Sequence, residues 1–357
     1  MSAKHTGGSP GELHANLDNS NMLSLVESLG SHFAEARSIG ESFAATLDGP
    51  RGARANHVVI CGMGGSAIGA DMICSWSGSG ATVPLHVWRG YEMPAALSTG
   101  AFGLVSSYSG NTAETLAAEQ SLRDADAFRV AVTSGGTLAG RMKSAELPCC
   151  LIPGGMPPRA AIAFSFIPTV CTLAAYGYVS LDPAELDETI EQAGNLCARY
   201  SLEREGGPAF ELASAIHGRL PIIYSCDELL GAISRRWACQ INENAKSLAH
   251  FALFPELCHN EIVGWEALEE LMSSSAVIVL EDREDHPAAR KQLDTTLELI
   301  APHCPSIHRF ETAGTGRMAR MMSLMILGDF TSVYLAYLNG VDPTPVAKID
   351  TLKKRIA

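Results

Sequence analysis

The sequence predicts an α/β protein with two doubly wound parallel sheets in succession, preceded by a helix. Three observations carry this. Short apolar runs alternate with helical patterns, the signature of βαβ units. The alternation stops at a polar, acidic stretch and then starts again. Two early strand-to-helix turns are built from Gly, Ser, Thr and Asn.

Residues 1–16 are rich in Gly and Ser and predict a disordered N-terminus. Residues 17–48 read as helical, with apolar positions at Leu23, Leu25, Val26, Leu29 and Phe33. Strands follow at HVVIC (57–61), VPLHVW (83–88), FGLVSSYS (102–109), RVAVTS (129–134) and CCLIPG (149–154), with helices between them. The uncharged stretch 160–179 imitates a membrane span. Pro168 and its several hydroxyls make it instead a helix buried between layers. A helical connector, 181–208, then separates a first domain, 17–180, from a second, 209–357. The second half repeats the rhythm: strand 221–225, helix 228–248, strand 276–282, helix 287–301 and strand 306–312. A long helix, 317–338, and a short one from Pro345 close the chain. The halves share element order rather than residue identity.

The 357 residues can bury two medium cores. A net charge of −13 argues against a nucleic-acid surface, which would want a basic stripe. It leaves room for a small anion held by a few local donors. Ten cysteines without a C-x-x-C pair read as reduced thiols of a cytoplasmic protein. His303, Cys304 and His308 lack a matching second cluster, so no metal site is expected.

GMGGSAIGA (62–70) follows a strand and opens a helix, a geometry that aims backbone N–H groups at an anion. It fits the weak dinucleotide pattern G-x-G-x-x-A. The acidic residue that should end the next strand is missing, because Arg89 and Gly90 stand there. An NADP-dependent oxidoreductase therefore rests on this loop alone. The second loop, SSYSGNTAET (106–115), says more. Ser107, Ser109 and Thr112 offer three hydroxyls at a helix start, with Asn111 beside them and Ser66 on the neighbouring loop. Helix capping explains one such residue. Four converging hydroxyls, with Gly64 and Gly65, suit a phosphate monoester.

At these loops the chain resembles the sugar isomerase (SIS) domain family, whose loops bind phosphorylated sugars. PPRAAIAFSF (157–166), residues 235–265 and residues 327–357 resemble the bifunctional phosphoglucose/phosphomannose isomerases. The resemblance runs in order over about residues 18–357. It implies two SIS domains, a homodimer, no cofactor, and interconversion of fructose 6-phosphate with glucose or mannose 6-phosphate.

That reaction moves a proton between C1 and C2 through an enediol and needs one base reaching both carbons. Glu243, in INENAKS, is the candidate; a Glu at a helix end is otherwise simply solvated. The resemblance gives His259, in ELCHNEIVGW, the ring-opening role, supplied by the partner subunit. It assigns Lys353 to assisting ring opening and binding. Arg159 would supply a fixed cation for the phosphate or the enediolate. Two departures stand out: Gly90 where the family commonly has an acidic residue, and Ala238 where it often has Lys. The competing reading is a non-catalytic SIS module that senses a phosphosugar; it needs no Glu, His and Lys set.

Overall fold

The computed structural model describes residues 16–47, 55–201 and 207–356. The predicted disorder of residues 1–15 and the connector residues 202–206 lie outside the described residues. The chain forms two compact units. One comprises Leu29–Glu191 with Gly316–Ala319; the other takes the residues up to Ser28, Gln192–Thr315 and Arg320 onward. The partition falls inside one helix, between Glu191 and Gln192, and not at residues 180 and 209 where the sequence pattern changes. Composition along the chain does not reveal that its first helix and the start of helix 317–338 change units.

In order, the elements of the first half are α1 (Met22–Glu27), α2 (Leu29–Ala44), β1 (His57–Cys61), α3 (Gly64–Ser77), β2 (Leu85–Trp88), α4 (Ala95–Ser98), β3 (Ala101–Ser107), α5 (Ala113–Asp124), β4 (Phe128–Thr133), α6 (Gly136–Ser144), β5 (Cys149–Leu151) and α7 (Ile162–Ala175). The five strands form one parallel sheet, ordered β2-β1-β3-β4-β5. Ile60 lies in register between Val87 and Leu104. Strands β1 and β3 are almost wholly buried, which is why they read as continuous apolar runs. The stretch 160–179 contains the buried helix α7. Gly40 of α2 lets that helix come close, since a methyl at position 40 would stand 2.9 Å from the Cys171 sulfur. The helix expected over 17–48 is in fact two, broken at Ser28. Asp18 receives the Met22 and Leu23 amides at 2.7 and 2.8 Å and so starts α1.

The second half contains α8 (Pro183–Tyr200), α9 (Pro208–Ile216), β6 (Leu220–Cys226), α10 (Asp227–Gln240), β7 (His250–Phe254), α11 (Glu269–Ser273), β8 (Ser275–Glu281), α12 (Pro287–Ile300), β9 (Ile307–Glu311), α13 (Arg317–Leu338) and α14 (Ala347–Ile356). Its parallel sheet is ordered β7-β6-β8-β9, the same winding as the first sheet less one strand. The sequence reading extends α10 to residue 248 and overlooks β7. The helix instead ends at Gln240, a single π turn covers Ile241–Ala245, and the chain re-enters the sheet at His250. Helix α13 is long and apolar enough to cross a membrane, but 94% of its most apolar window is buried in the fold. Gly328 makes room there for the buried Trp237, whose indole N–H reaches the Leu324 carbonyl at 2.8 Å.

Candidate active site

In the five-stranded sheet the winding direction reverses between β1 and β3, and the crevice at their C-terminal ends is where open α/β sheets bind ligands. Both predicted loops lie there. Gly64 has the left-handed backbone that glycine tolerates, φ 52°. A methyl at position 65 would meet the Pro158 carbonyl oxygen at 2.8 Å, so Gly65 permits close approach of the Arg159 segment. The Tyr108 amide donates to Ser66 Oγ at 3.3 Å, and the Met156 amide to Tyr108 Oη at 3.0 Å. Three segments are thereby fastened together, and Arg159 is 5% exposed among them.

The three serine oxygens each accept a backbone amide. Ser66 accepts the Tyr108 amide, and Ser109 accepts the Asn111 amide at 3.2 Å. Ser107 accepts the Gly110 amide at 3.2 Å and donates to Thr112 Oγ1 at 3.3 Å. Each hydroxyl has one donor and two acceptor sites. Among the described residues no donation from Ser66, Ser109 or Thr112 is spent internally. Thr112 precedes α5 without capping it by its side chain, leaving first-turn N–H groups directed at the same crevice. Asn111 plays a different part from the one its position suggests. Its side-chain carbonyl receives both the amide and the hydroxyl of Thr137, at 2.9 and 3.0 Å, and so braces the loop against α6. Arg89, the residue that would have suited NADP, is engaged by Asp71 and the Ala67 carbonyl.

The equivalent crevice of the four-stranded sheet, between β6 and β8, has the opposite chemistry. Cys226, Glu228 and Asp285 bring ligand atoms within 4.8 Å of one another there, a grouping that sequence spacing did not reveal. Burial pushes the Asp285 carboxyl up to about 6, with the neighbouring Asp282 and Glu228 adding to the rise. A phosphate dianion is repelled by such a lining. Of two similarly wound sheets, the first is the one suited to a phosphate.

The proton-transfer candidates all lie in the second unit. Glu243 is half-buried on the π turn after α10. Single π turns inside or beside α-helices occur often at functional positions. This one is closely held: Asn244 donates to Ser332 at 2.9 Å, Asn339 to the Ala245 carbonyl at 2.9 Å, and Asn242 accepts the Ala249 amide at 2.9 Å. His259 is exposed at the end of a 3₁₀ turn, Glu256–His259, beyond β7. The following 3₁₀ turn, Glu261–Glu266, is anchored through Glu261, which accepts Tyr224 Oη at 2.7 Å and pairs with His250 at 2.9 Å. Burial pushes the Glu261 carboxyl up, but these two hydrogen bonds outweigh it and hold it below the usual range. His250 is raised by the same partner against some burial. Lys353 lies on the exposed helix α14. Gly90 contacts the Trp88 ring, and Ala238 is buried in α10. Sequence reasoning missed Tyr108, Lys246, His250 and Glu261. Each acts through a bond to a distant segment, which spacing along the chain does not show.

Two like-wound parallel sheets, the first followed at β1 and β3 by loops rich in glycine and hydroxyls, are the architecture of a tandem SIS-domain protein. A family model described as the bacterial phospho-glucose isomerase C-terminal SIS domain matches residues 205–356. The chain is 36% identical over 338 residues to a bifunctional phosphoglucose/phosphomannose isomerase of Caldicellulosiruptor bescii, covering 94% of this chain and 99% of that one. Its identity to the protein of the same name from Aquifex aeolicus is 32% over 300 residues, 84% and 90% of the two chains. The C-terminal domain of glucosamine-fructose-6-phosphate aminotransferase from Francisella tularensis shares the fold, with a TM-score of 0.69 over 91% of this chain and 98% of that one at 15% identity. The chain belongs to the bifunctional phosphoglucose/phosphomannose isomerase family and is an enzyme of the isomerase class.

Proposed function

We propose that this enzyme interconverts fructose 6-phosphate with glucose 6-phosphate and mannose 6-phosphate. The observation that carries the reading is the crevice at β1 and β3, where three hydroxyls whose protons are not spent among the described residues, helix N–H groups and the buried Arg159 suit a phosphate monoester. In this reading Gly64, Gly65, Ser66, Ser107, Ser109, Thr112 and Arg159 hold the 6-phosphate. Neutral donors bind it without demanding a second positive charge, consistent with the acidic chain.

Isomerisation takes a proton from one of two adjacent carbons and returns one to the other. The hydroxyl and carbonyl exchange places with no net loss of electrons, so the step requires no redox partner. Glu243 acts as the base on one face of the enediol. His259 and Lys353 move the ring-oxygen and O1 protons that open the sugar; a histidine is suited to both directions near neutral pH. The exposed position of His259 on an arm beyond the sheet supports its service to a partner subunit in a homodimer. All ten cysteines are thiols, most of them buried, which suits the reducing cytoplasm.

Glu243→Gln tests the assignment. It keeps size and most hydrogen bonding but cannot accept the proton. Turnover should fall by about 10²–10⁴-fold or more, and exchange of the C2 hydrogen with solvent deuterium should stop with it. Binding of a 6-phosphate inhibitor should be preserved. Near-native deuterium exchange in this variant would mean that another group is the base.

A further inference from the structure

Lys246 follows the turn that carries Glu243 and has left-handed backbone, φ 55°. Its Nζ donates to three carbonyl oxygens: those of Glu243 at 2.5 Å, Asn244 at 3.2 Å and Pro343 at 3.0 Å. An ammonium has three N–H donors and no acceptor, so a single Nζ can serve several carbonyls at once. Two of the carbonyls end the α10 helix and its π turn, where carbonyls lack helical partners and a cation is favoured. The third belongs to the segment leading into α14, the helix of Lys353. With Asn339 holding the Ala245 carbonyl at 2.9 Å, the carbonyls of residues 243, 244 and 245 are all held by side chains.

From this geometry we infer that Lys246 is a positioning residue for the isomerisation. It ties the turn of the base to the segment that leads into the Lys353 helix, so that both groups keep one mutual geometry. The inference rests on the roles proposed above for Glu243 and Lys353. A carboxylate that must reach two bonded carbons tolerates little displacement, because placement within about 0.5 Å decides whether a site works. A turn ending in exposed carbonyls would fray without a cap, and Lys246 is that cap. Arginine cannot replace it fully, since its donors lie in a planar fork rather than converging from one atom.

Lys246→Met removes all three bonds and keeps most of the volume. In the full-length enzyme kcat for fructose 6-phosphate should fall about 10- to 100-fold, the range expected of misplacement by about 1 Å. KM should change less than about twofold, because the proposed phosphate donors lie on other loops. Lys246→Arg should recover part of the loss. The losses in Lys246→Met and Lys353→Ala should combine to less than their product. If Lys246→Met does not fold, Lys246→Gln, which is neutral and retains fewer donors, serves in the same comparisons. Native kcat in a folded variant, or losses that multiply fully, would overturn the coupling. A Glu243→Gln enzyme with native turnover would instead defeat the catalytic reading beneath it. An inactive Glu243→Gln beside a native-like Lys246→Met defeats the coupling alone.

Discussion

The proposed phosphate site depends on how single hydroxyls divide their hydrogen bonds. Ser66, Ser107 and Ser109 each accept a backbone amide from the loop that follows β3. That arrangement fixes the oxygen and leaves the proton for a ligand or, at Ser107, for Thr112. Ser109→Ala removes one donor and one loop contact. KM for fructose 6-phosphate should rise by a factor corresponding to roughly 1–2 kcal/mol, with kcat less affected. Adding Ser66→Ala should raise it further. Steady-state kinetics check this, and unchanged KM in the double variant would reduce the second loop to a helix start. The presence of these hydroxyls was legible in the sequence. Their hydrogen-bond directions were not, and Asn111 illustrates the difference: a residue suited by type to the ligand is turned to Thr137 instead.

At the scale of elements, the arm beyond β7 shows how one charged pair fixes a loop. Glu261 is bonded to Tyr224 of β6 and His250 of β7, and Trp265 donates to the same Tyr224 oxygen at 3.1 Å. His250 is raised in the folded protein, so its stabilising contribution is complete below the ordinary histidine value of about 6.5. That contribution is lost as pH rises through the raised folded value. Glu261 is lowered, so its contribution is present above the ordinary carboxylate range and is lost as pH falls through the depressed value. The pair is therefore best formed at mildly acidic pH and weakens on the alkaline side. His250→Ala should flatten the decline in melting temperature as pH is raised from about 6.5. Thermal melts across that interval check it; an unchanged slope would show that the pair does not hold the arm. The exposed His250 side chain makes the effect small. Strand β7 went unseen in the sequence because HFALF follows a helix closely, and one π turn replaces the expected Gly or Pro break.

For the molecule as a whole, the proposed roles place His259 in a neighbour's site. Mixing the inactive variants Glu243→Gln and His259→Ala under subunit exchange should restore activity, with at most one competent site per mixed dimer. Turnover measured after verified exchange tests this. No recovery would assign both residues to the same chain's site.

The sequence by itself determined the winding of two parallel sheets, because buried strands need continuous apolar runs and crossovers need amphipathic helices. It also marked the two loops proposed to hold the phosphate, since Gly and short hydroxyl residues suit a strand-to-helix turn that approaches a phosphate closely. Tertiary structure decided which side chains line each of two like crevices. Ser66, Ser107 and Arg159 are each buried in the unit of the first sheet, while ligand atoms of Cys226, Glu228 and Asp285 lie within 4.8 Å of one another at the second crevice. It also decided that α10 stops at Gln240 and that Lys246 grasps the Pro343 carbonyl. These outcomes rest on bonds between residues far apart in the chain. Local propensity and spacing do not contain them; they form only when the packed elements bring those groups within reach.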